Sequence, residues 1–367
     1  MIQGICVRFC AFQTRISFDE SRSDDECQNY SSAKKKVRVC VEIIKIQHPH
    51  AFKREQFPPL VMALGYFDGV HLGHQKVIKT AKDIALKHEK KNWKSAVMTF
   101  DPHPSAVLGK NRINMEYISP LEEKIKLIAE LGIDKLFIVH FTPEFARLLP
   151  QEFIDQYIIG LNVVHMVAGF DFTYGRLGKG TMETLPFHSR QLFEYTVVSK
   201  MEFGREKISS SLIRQKIREG RMIELPALLG RYYTISGTVV QGDRRGRTIG
   251  FPTANVAVGD DYLLPPPGVY TVRLLVRGTW HEGVCNVGYK PTFYNKRNRK
   301  NLSIEVHVFD FHEDIYGEKV IVEWHKRLRE EKKFPGVSEL IAQIEKDKIE
   351  ALFYFSKLRK QQEKANI

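Results

Sequence analysis

Cysteine is scarce and oddly placed: of five, Cys6, Cys10, Cys27 and Cys40 fall within the first 40 residues, leaving only Cys285 beyond them. Their spacings fit no paired C-x-x-C zinc pattern, and a long folded region with a single thiol suits a reducing compartment, so a cytoplasmic location is expected. No stretch approaches the ~20 uncharged apolar residues that a spanning helix requires, so no membrane partner is expected. Internal repeats and low-complexity tracts are missing, which argues against a repeat array. Acidic residues are in deficit, 43 against 56 Lys and Arg, for a net charge of +13. A basic surplus speeds encounter with polyanions, and nucleic acid and nucleotide triphosphates both qualify. The basic clusters at Lys34-Lys35-Lys36, Arg244-Arg245 and 296–300 are short. No RRM- or KH-type signature accompanies them, so nucleic acid is not an expected partner.

At 367 residues, 43% of them hydrophobic and 27% charged, the chain is too long for one ordinary core and suits two domains. Residues 1–40 lack an apolar leader core and carry Asp19, Glu20, Asp24, Asp25 and Glu26, unlike an acid-poor transit peptide. They are expected to be a dispensable extension, with periodic structure starting at Val41. From there to about 201, apolar runs (60–67, 95–100, 135–141, 165–172 and 195–201) alternate with amphipathic helical segments. Unbroken apolar runs suit strands covered on both faces, and a β-α-β order suits a parallel sheet. Beyond 230 the runs shorten and alternate (232–240, 268–276, 279–287, 303–311 and 319–328), as in a small antiparallel barrel. A closing helix with Leu340, Ile341, Ile344, Ile349, Leu352 and Phe353 is expected to pack on the barrel. The expected boundaries are 41–221 and 232–360, joined by a linker at 222–231.

In the first domain GYFDGVHLGHQ (65–75) ends a strand and opens a helix. Ligands of open α/β sheets bind where strands end, and a helix N-terminus offers free N–H groups to phosphate. Gly65, Gly69 and Gly73 allow close backbone approach, while His71 and His74 stand on the first turn, where imidazole can meet charge developing on a phosphoryl group. A histidine pair at this spacing is more often structural, but a glycine-rich strand-to-helix turn reverses that weighting. KISSSLIRQKIREG (207–220) reads as a serine-capped helix with Arg214 one turn in. In the second domain GDRRGRTIGFPTANV (242–256) joins two strands. Gly242, Gly246 and Gly250 permit a triphosphate to approach, Arg244, Arg245 and Arg247 supply charge, and Thr253 and Asn255 offer hard oxygen ligands for Mg²⁺.

H-x-G-H in this setting resembles the signature of the nucleotidylyltransferase superfamily, and Ser209, Ser210 and Ser211 with Arg214 resemble its I-S-S-x-x-x-R partner element. TFDPHP (99–104) and GFDFTYGRLGKG (169–180) are similar to the flavin adenylylation domain of bacterial bifunctional FAD synthetases. The resemblance implies nucleotide contacts from Gly65, Phe67, Asp68 and Gly73, and places His103, Asp171 and Phe172 near adenine and flavin, with Arg176 and Lys179 near phosphate. The P-T-A-N element resembles riboflavin kinases, and LPPPGVYTV, NVGYKPTF, IEVHVFDF and the EEKKF-x₄-EL stretch follow in that family's order, with LREEKKF (328–334) departing from it by a missing proline. By that likeness Glu305, expected at the barrel mouth, is the general base for the ribityl 5′-hydroxyl. The fold implied is a Rossmann-like domain followed by a six-stranded antiparallel riboflavin-kinase-like barrel with a C-terminal helix. The activities implied are ATP-dependent phosphorylation of riboflavin to FMN and adenylylation of FMN to FAD, with riboflavin, FMN and ATP as partners. Two rivals remain open on the sequence: a kinase whose first domain binds nucleotide without transferring it, and a basic RNA-binding protein.

Overall fold

The computed structural model describes residues 6–11, 39–109, 115–242, 245–259, 261–289 and 302–365. Two compact units, Met1–Ser209 and Ser210–Ile367, divide the chain. The division falls inside the expected first domain, and the expected linker is itself structured. Met222–Glu224 forms a 3₁₀ turn and Leu225–Leu229 a helix, with Met222, Leu225, Leu228 and Leu229 buried.

The first unit is built on a seven-stranded sheet. Its strands are β1 (Cys6–Ala11), β2 (Val39–Gln47), β3 (Leu60–Leu64), β4 (Lys94–Asp101), β5 (Lys135–His140), β6 (Val163–Gly169) and β9 (Glu194–Val198), in the order β1-β2-β5-β4-β3-β6-β9. All neighbours pair in parallel except β1, which runs antiparallel to β2 and so places an edge strand within the expected extension. Two-residue ribbons join β7 (Thr173–Tyr174) to β8 (Gly180–Thr181) and β10 (Glu202–Phe203) to β11 (Glu206–Lys207).

The unbroken apolar runs have the expected cause. Leu60, Met62 and Leu64 of β3 enter one core, while Val61 and Ala63 enter the other. Strand period two sends neighbours to opposite faces, and each such side chain removed from water contributes roughly 1.5–3 kcal/mol. Helix α1 (Leu72–Lys87) buries Val77, Ile78, Ala81 and Ala85. Shorter helices α2 (Pro104–Leu108), α3 (Leu121–Ala129), α4 (Pro150–Phe153) and α5 (Leu185–Ser189) follow, and α4 runs directly into a π-helical turn, Ile154–Ile159. From β3 the chain steps through β4 to β5 on one side, then crosses to β6 on the other. The β3/β6 junction is therefore the switch point of the sheet.

The second unit opens with α6 (Ser210–Arg218) and α7, the Leu225–Leu229 helix. Strands β12 (Tyr233–Val240), β13 (Ala254–Val258), β14 (Gly268–Val276), β15 (Thr279–Tyr289), β16 (Leu302–Val308) and β17 (Lys319–Arg329) close a barrel in the order β12-β13-β16-β15-β14-β17. The β14–β15 hairpin turns on Arg277 (φ 48°) and Gly278 (φ 84°), two successive left-handed residues of the kind that match strand twist. A single turn, α8 (Arg245–Thr248), interrupts the loop before β13.

Helix α9 (Val337–Ala365) departs from the expected stripe. Ile349 is 65% and Phe353 59% exposed, while Asp347, Ala351 and Phe355 are buried. Charge pairing sets the rotation of the helix: Arg329 of β17 grips Asp347 at 2.8–3.0 Å and Lys326 holds Glu350 at 2.8 Å. Beside them fully buried His325 places Nε2 at 2.8 Å from Glu323, which accepts from Arg273 at 2.5 and 2.8 Å.

Candidate functional site

The first candidate site lies at the carboxyl ends of β3, β4 and β6. After β3 the backbone turns sharply through Phe67 (φ 58°) and Gly69 (φ 78°) into α1. His71 caps α1 by accepting the His74 N–H on Nδ1 at 3.2 Å. The two imidazoles stack with centroids 3.5 Å apart. At Gly73 a Cβ would stand 3.1 Å from the His71 ring, which would have to give way by a few tenths of an ångström. The His74 Nδ1 is buried and has no hydrogen-bond partner among the described residues. Burial, reinforced by His71, Lys124 and Lys207, drives the His74 pKa well below its ordinary value, so the ring is neutral.

Phe67 meets His74 edge-on at 5.3 Å, and Gly65 is crossed by the Phe67 ring, 2.7 Å from where a Cβ would be. Asp68 faces inward. Its carboxylate accepts from the Ile118 and Ser119 N–H groups at 3.2 and 3.0 Å, tying the turn to the segment before α3. From β4, His103 caps α2 and meets the Tyr66 ring edge-on at 4.1 Å. From β6, Asp171 accepts from Lys207 at 2.5 Å, and Lys207 also lies 4.6 Å over the Phe170 ring. Phe172 is half-buried and stacks toward Tyr174 at 6.2 Å. Arg176 and Lys179 are exposed on the following loop.

Histidine, aspartate and lysine from separate segments thus converge on the switch point. Tyr66, Lys124 and Lys207 belong to this cluster: Tyr66 and Lys207 lie within the 65–75 and 207–220 motifs without a role read from them, and Lys124 lies in neither. Ser209 closes the first unit, and Ser210, Ser211 and half-buried Arg214 stand in the first turns of α6, where the second begins.

The second candidate site is made by strand register. Glu305 of β16 pairs with Asn255 of β13 on one side and with Asn286 of β15 on the other. Directly opposed residues share a face, so these three side chains line one surface of the wall. Buried Ile304 and Val306, on either side of Glu305, occupy the opposite face. Glu305 therefore stands on the outward face of the wall, because strand period two gives the interior to its neighbours.

Thr253, two residues before Asn255, is half-exposed like it. Gly242 runs directly over this surface, since a Cβ there would lie 2.2 Å from Asn255 Nδ2. Gly246 accepts from Phe251 N at 2.8 Å and folds the loop back on itself, with Arg247 carried on α8. Arg244 lies outside the described residues, as do the 290–301 stretch and its basic cluster. Among the described residues no group of three or more His, Cys, Asp or Glu could hold a metal ion, and no helix is long and apolar enough to cross a membrane. Asn286 was the residue the sequence reading missed, although the NVGYKPTF motif contains it.

Comparison with known proteins covers both halves of the chain. Residues 53–212 match the FAD synthetase family model and residues 229–355 the riboflavin kinase model. The chain is 55% identical over 320 residues to the bifunctional riboflavin kinase/FMN adenylyltransferase of Bacillus subtilis, covering 87% of this chain and all of that one. It is 34% identical to the Escherichia coli protein of the same description, over 80% of this chain and 92% of the other. A solved Streptococcus pneumoniae chain, described as a macrolide-efflux protein, superposes with a TM-score of 0.74 at 34% identity, covering 83% of this chain and 97% of that one. With an FAD synthetase domain followed by a riboflavin kinase domain, the chain belongs to the bifunctional riboflavin kinase/FMN adenylyltransferase family.

Proposed function

We propose that the outer-wall site phosphorylates riboflavin and the switch-point site adenylylates the resulting FMN. For the kinase step, Glu305 is the general base that takes the ribityl 5′-hydroxyl proton as the γ-phosphoryl of ATP is transferred. Its register between Asn255 and Asn286 is the observation that carries this assignment, because two neutral amide side chains orient a reacting hydroxyl without competing for its proton. Gly242, Gly246 and Arg247 cradle the triphosphate. The donor set suits Mg²⁺: Thr253 and Asn255 present hard oxygens, and glycine at 242 lets the backbone pass against the Asn255 amide, where a Cβ would collide with it. When bound there, the ion neutralises phosphate charge.

For the transferase step, a phosphate oxygen of FMN attacks the α-phosphorus of ATP and pyrophosphate leaves. His74 is neutral, and its unpartnered Nδ1 has hydrogen-bonding capacity to spare at the α1 N-terminus, where nucleotide phosphates meet free N–H groups. His71 holds the turn and contacts the phosphates, and the likeness to the I-S-S-x-x-x-R element gives Ser209, Ser210, Ser211 and Arg214 a phosphate-binding role of their own. Gly65, Phe67 and Gly73 shape the nucleotide bed, and Asp68 positions the turn through Ile118 and Ser119. His103, Asp171 and Phe172 receive adenine and flavin. The reading also places the protein in the cytoplasm, with no nucleic-acid or membrane partner. A chromatographic time course with riboflavin, ATP and Mg²⁺ tests it. FMN that appears and then gives way to FAD supports both sites, whereas FMN alone would remove the transferase assignment.

A further inference from the structure

Lys124 is an anomaly of the first unit. It lies on α3 with Leu127 and Ile128, in the register that a leucine would occupy, and is only 2% exposed. A buried ammonium is costly unless paired, and here the pairing is specific. Its Nζ donates to the Tyr66 carbonyl at 3.3 Å and to the Phe100 carbonyl at 3.2 Å, and lies 4.2 Å over the Tyr66 ring. Tyr66 begins the turn that carries His71 and His74, and Phe100 precedes the Asp101–His103 segment. One cation therefore bridges the ends of two parallel strands. The Tyr66 carbonyl already accepts from the Thr99 hydroxyl at 2.8 Å, so a neutral donor is in place without the lysine.

We propose that Lys124 is a positioning residue for adenylyl transfer: its ammonium clamps the ends of β3 and β4 and holds a positive charge beneath the His71–His74 turn, where the ATP phosphates are bound. This rests on the assignment of the transferase to that turn.

The groups facing Lys124 are Tyr66 and Asp68 from the end of β3, Asp101 from the end of β4, and His74 from α1. On its own helix, Glu123 and Lys126 pair with each other at 3.6 Å. Burial lowers the Lys124 pKa to about 8, against the opposing pull of Asp101 and Asp68. Burial pushes the Tyr66 phenol far above its ordinary range, and His74 far below, so neither changes charge near pH 8. Of these three, Lys124 is the group that changes charge there, and the variants below identify it. Above that pH the ammonium becomes a neutral amine, and the capture of ATP weakens.

The test uses the full chain and measures kcat/KM for ATP in FAD formation from FMN across pH, because that ratio reports titrations of the free enzyme. The parent is expected to decline above about pH 8. Lys124→Gln keeps a hydrogen-bond donor but no charge. It is expected to lower kcat/KM by ~10–100-fold below pH 8 and to erase the decline. Lys124→Arg, charged throughout this range, is expected to retain more activity than the glutamine variant and to lack the parent's decline. FMN formation from riboflavin by the same molecules should stay within about twofold, which controls for folding. A glutamine variant with the parent's activity, or an arginine variant with the parent's alkaline limb, would overturn the proposal. If the glutamine variant fails to fold, the arginine profile decides. A parent that makes FMN but no FAD would instead remove the site assignment, and the proposal with it.

Discussion

The two sites are built in different ways. The first gathers short segments from the ends of three strands, a helix N-terminus and a buried lysine, and its residues run from Tyr66 to Lys207. The second sets three side chains abreast on neighbouring antiparallel strands, Asn255, Glu305 and Asn286. Convergent loops can place groups of any type at a phosphate, but each depends on hidden supports such as Asp68 and Lys124. A register-built site needs little support, because the ladder itself fixes its spacing. The first should thus be sensitive at positions remote from substrate, and the second chiefly where the surface itself is touched.

The sharpest test of that contrast is Glu305→Gln. It is expected to lower FMN formation by ~10²–10⁴-fold while FMN supplied directly is still converted to FAD. Loss of both activities in folded protein would show that the sites are not independent. His74→Ala should do the reverse, slowing FAD formation by ~10²–10³-fold with FMN formation intact. Its cost in stability should be that of the lost ring packing on His71 and Phe67, with no Nδ1 hydrogen bond lost. A large fall in melting temperature would assign His74 to structure instead.

Gly242→Ala should slow the kinase by about tenfold, because its Cβ would press on Asn255 at 2.2 Å. An unchanged rate would mean the loop can lift away.

A smaller effect concerns pH. Burial lowers the pKa of His325, outweighing the upward pull of Glu323. The unfolded chain therefore takes up the proton first, and the stabilisation, present above about pH 6.5, is lost as pH falls from there through the lower folded value. His325→Gln should flatten the dependence of melting temperature on pH between about 7.5 and 5.5. A slope equal to the parent's would place the titration elsewhere. Least disruptive is removal of residues 1–38, for which both activities are expected within about twofold of the full chain. This deletes β1 but none of the site residues, and loss of either activity would give the edge strand a role.

Much of this was legible before the structure. Five of the six barrel strands, the parallel strands and the H-x-G-H turn follow from periodicity and glycine placement, which are local properties. Lys124 was legible in principle, because it falls on the apolar stripe of α3 with Leu127 and Ile128. Reading it required knowing that two carbonyls waited opposite. The stripe of α9 was misread because Asp347 and Glu350 find arginine and lysine on β17, and an apolar count takes no account of distant partners. The tie that the Asp68 carboxylate makes to the backbone at Ile118 and Ser119, fifty residues on, was not legible from its motif.

By itself the sequence determined the two architectures, their order, and the glycine, histidine and asparagine motifs, because these depend on neighbours a few residues apart. Tertiary structure alone decided which groups stand together. It set Asn286 beside Glu305, brought Lys124 to the Tyr66 and Phe100 carbonyls, and left the His74 Nδ1 without a partner among the described residues. Those relations depend on strand register and on the crossover at β3 and β6, where residues far apart in the chain are brought together by the burial of surfaces that neither segment could cover alone.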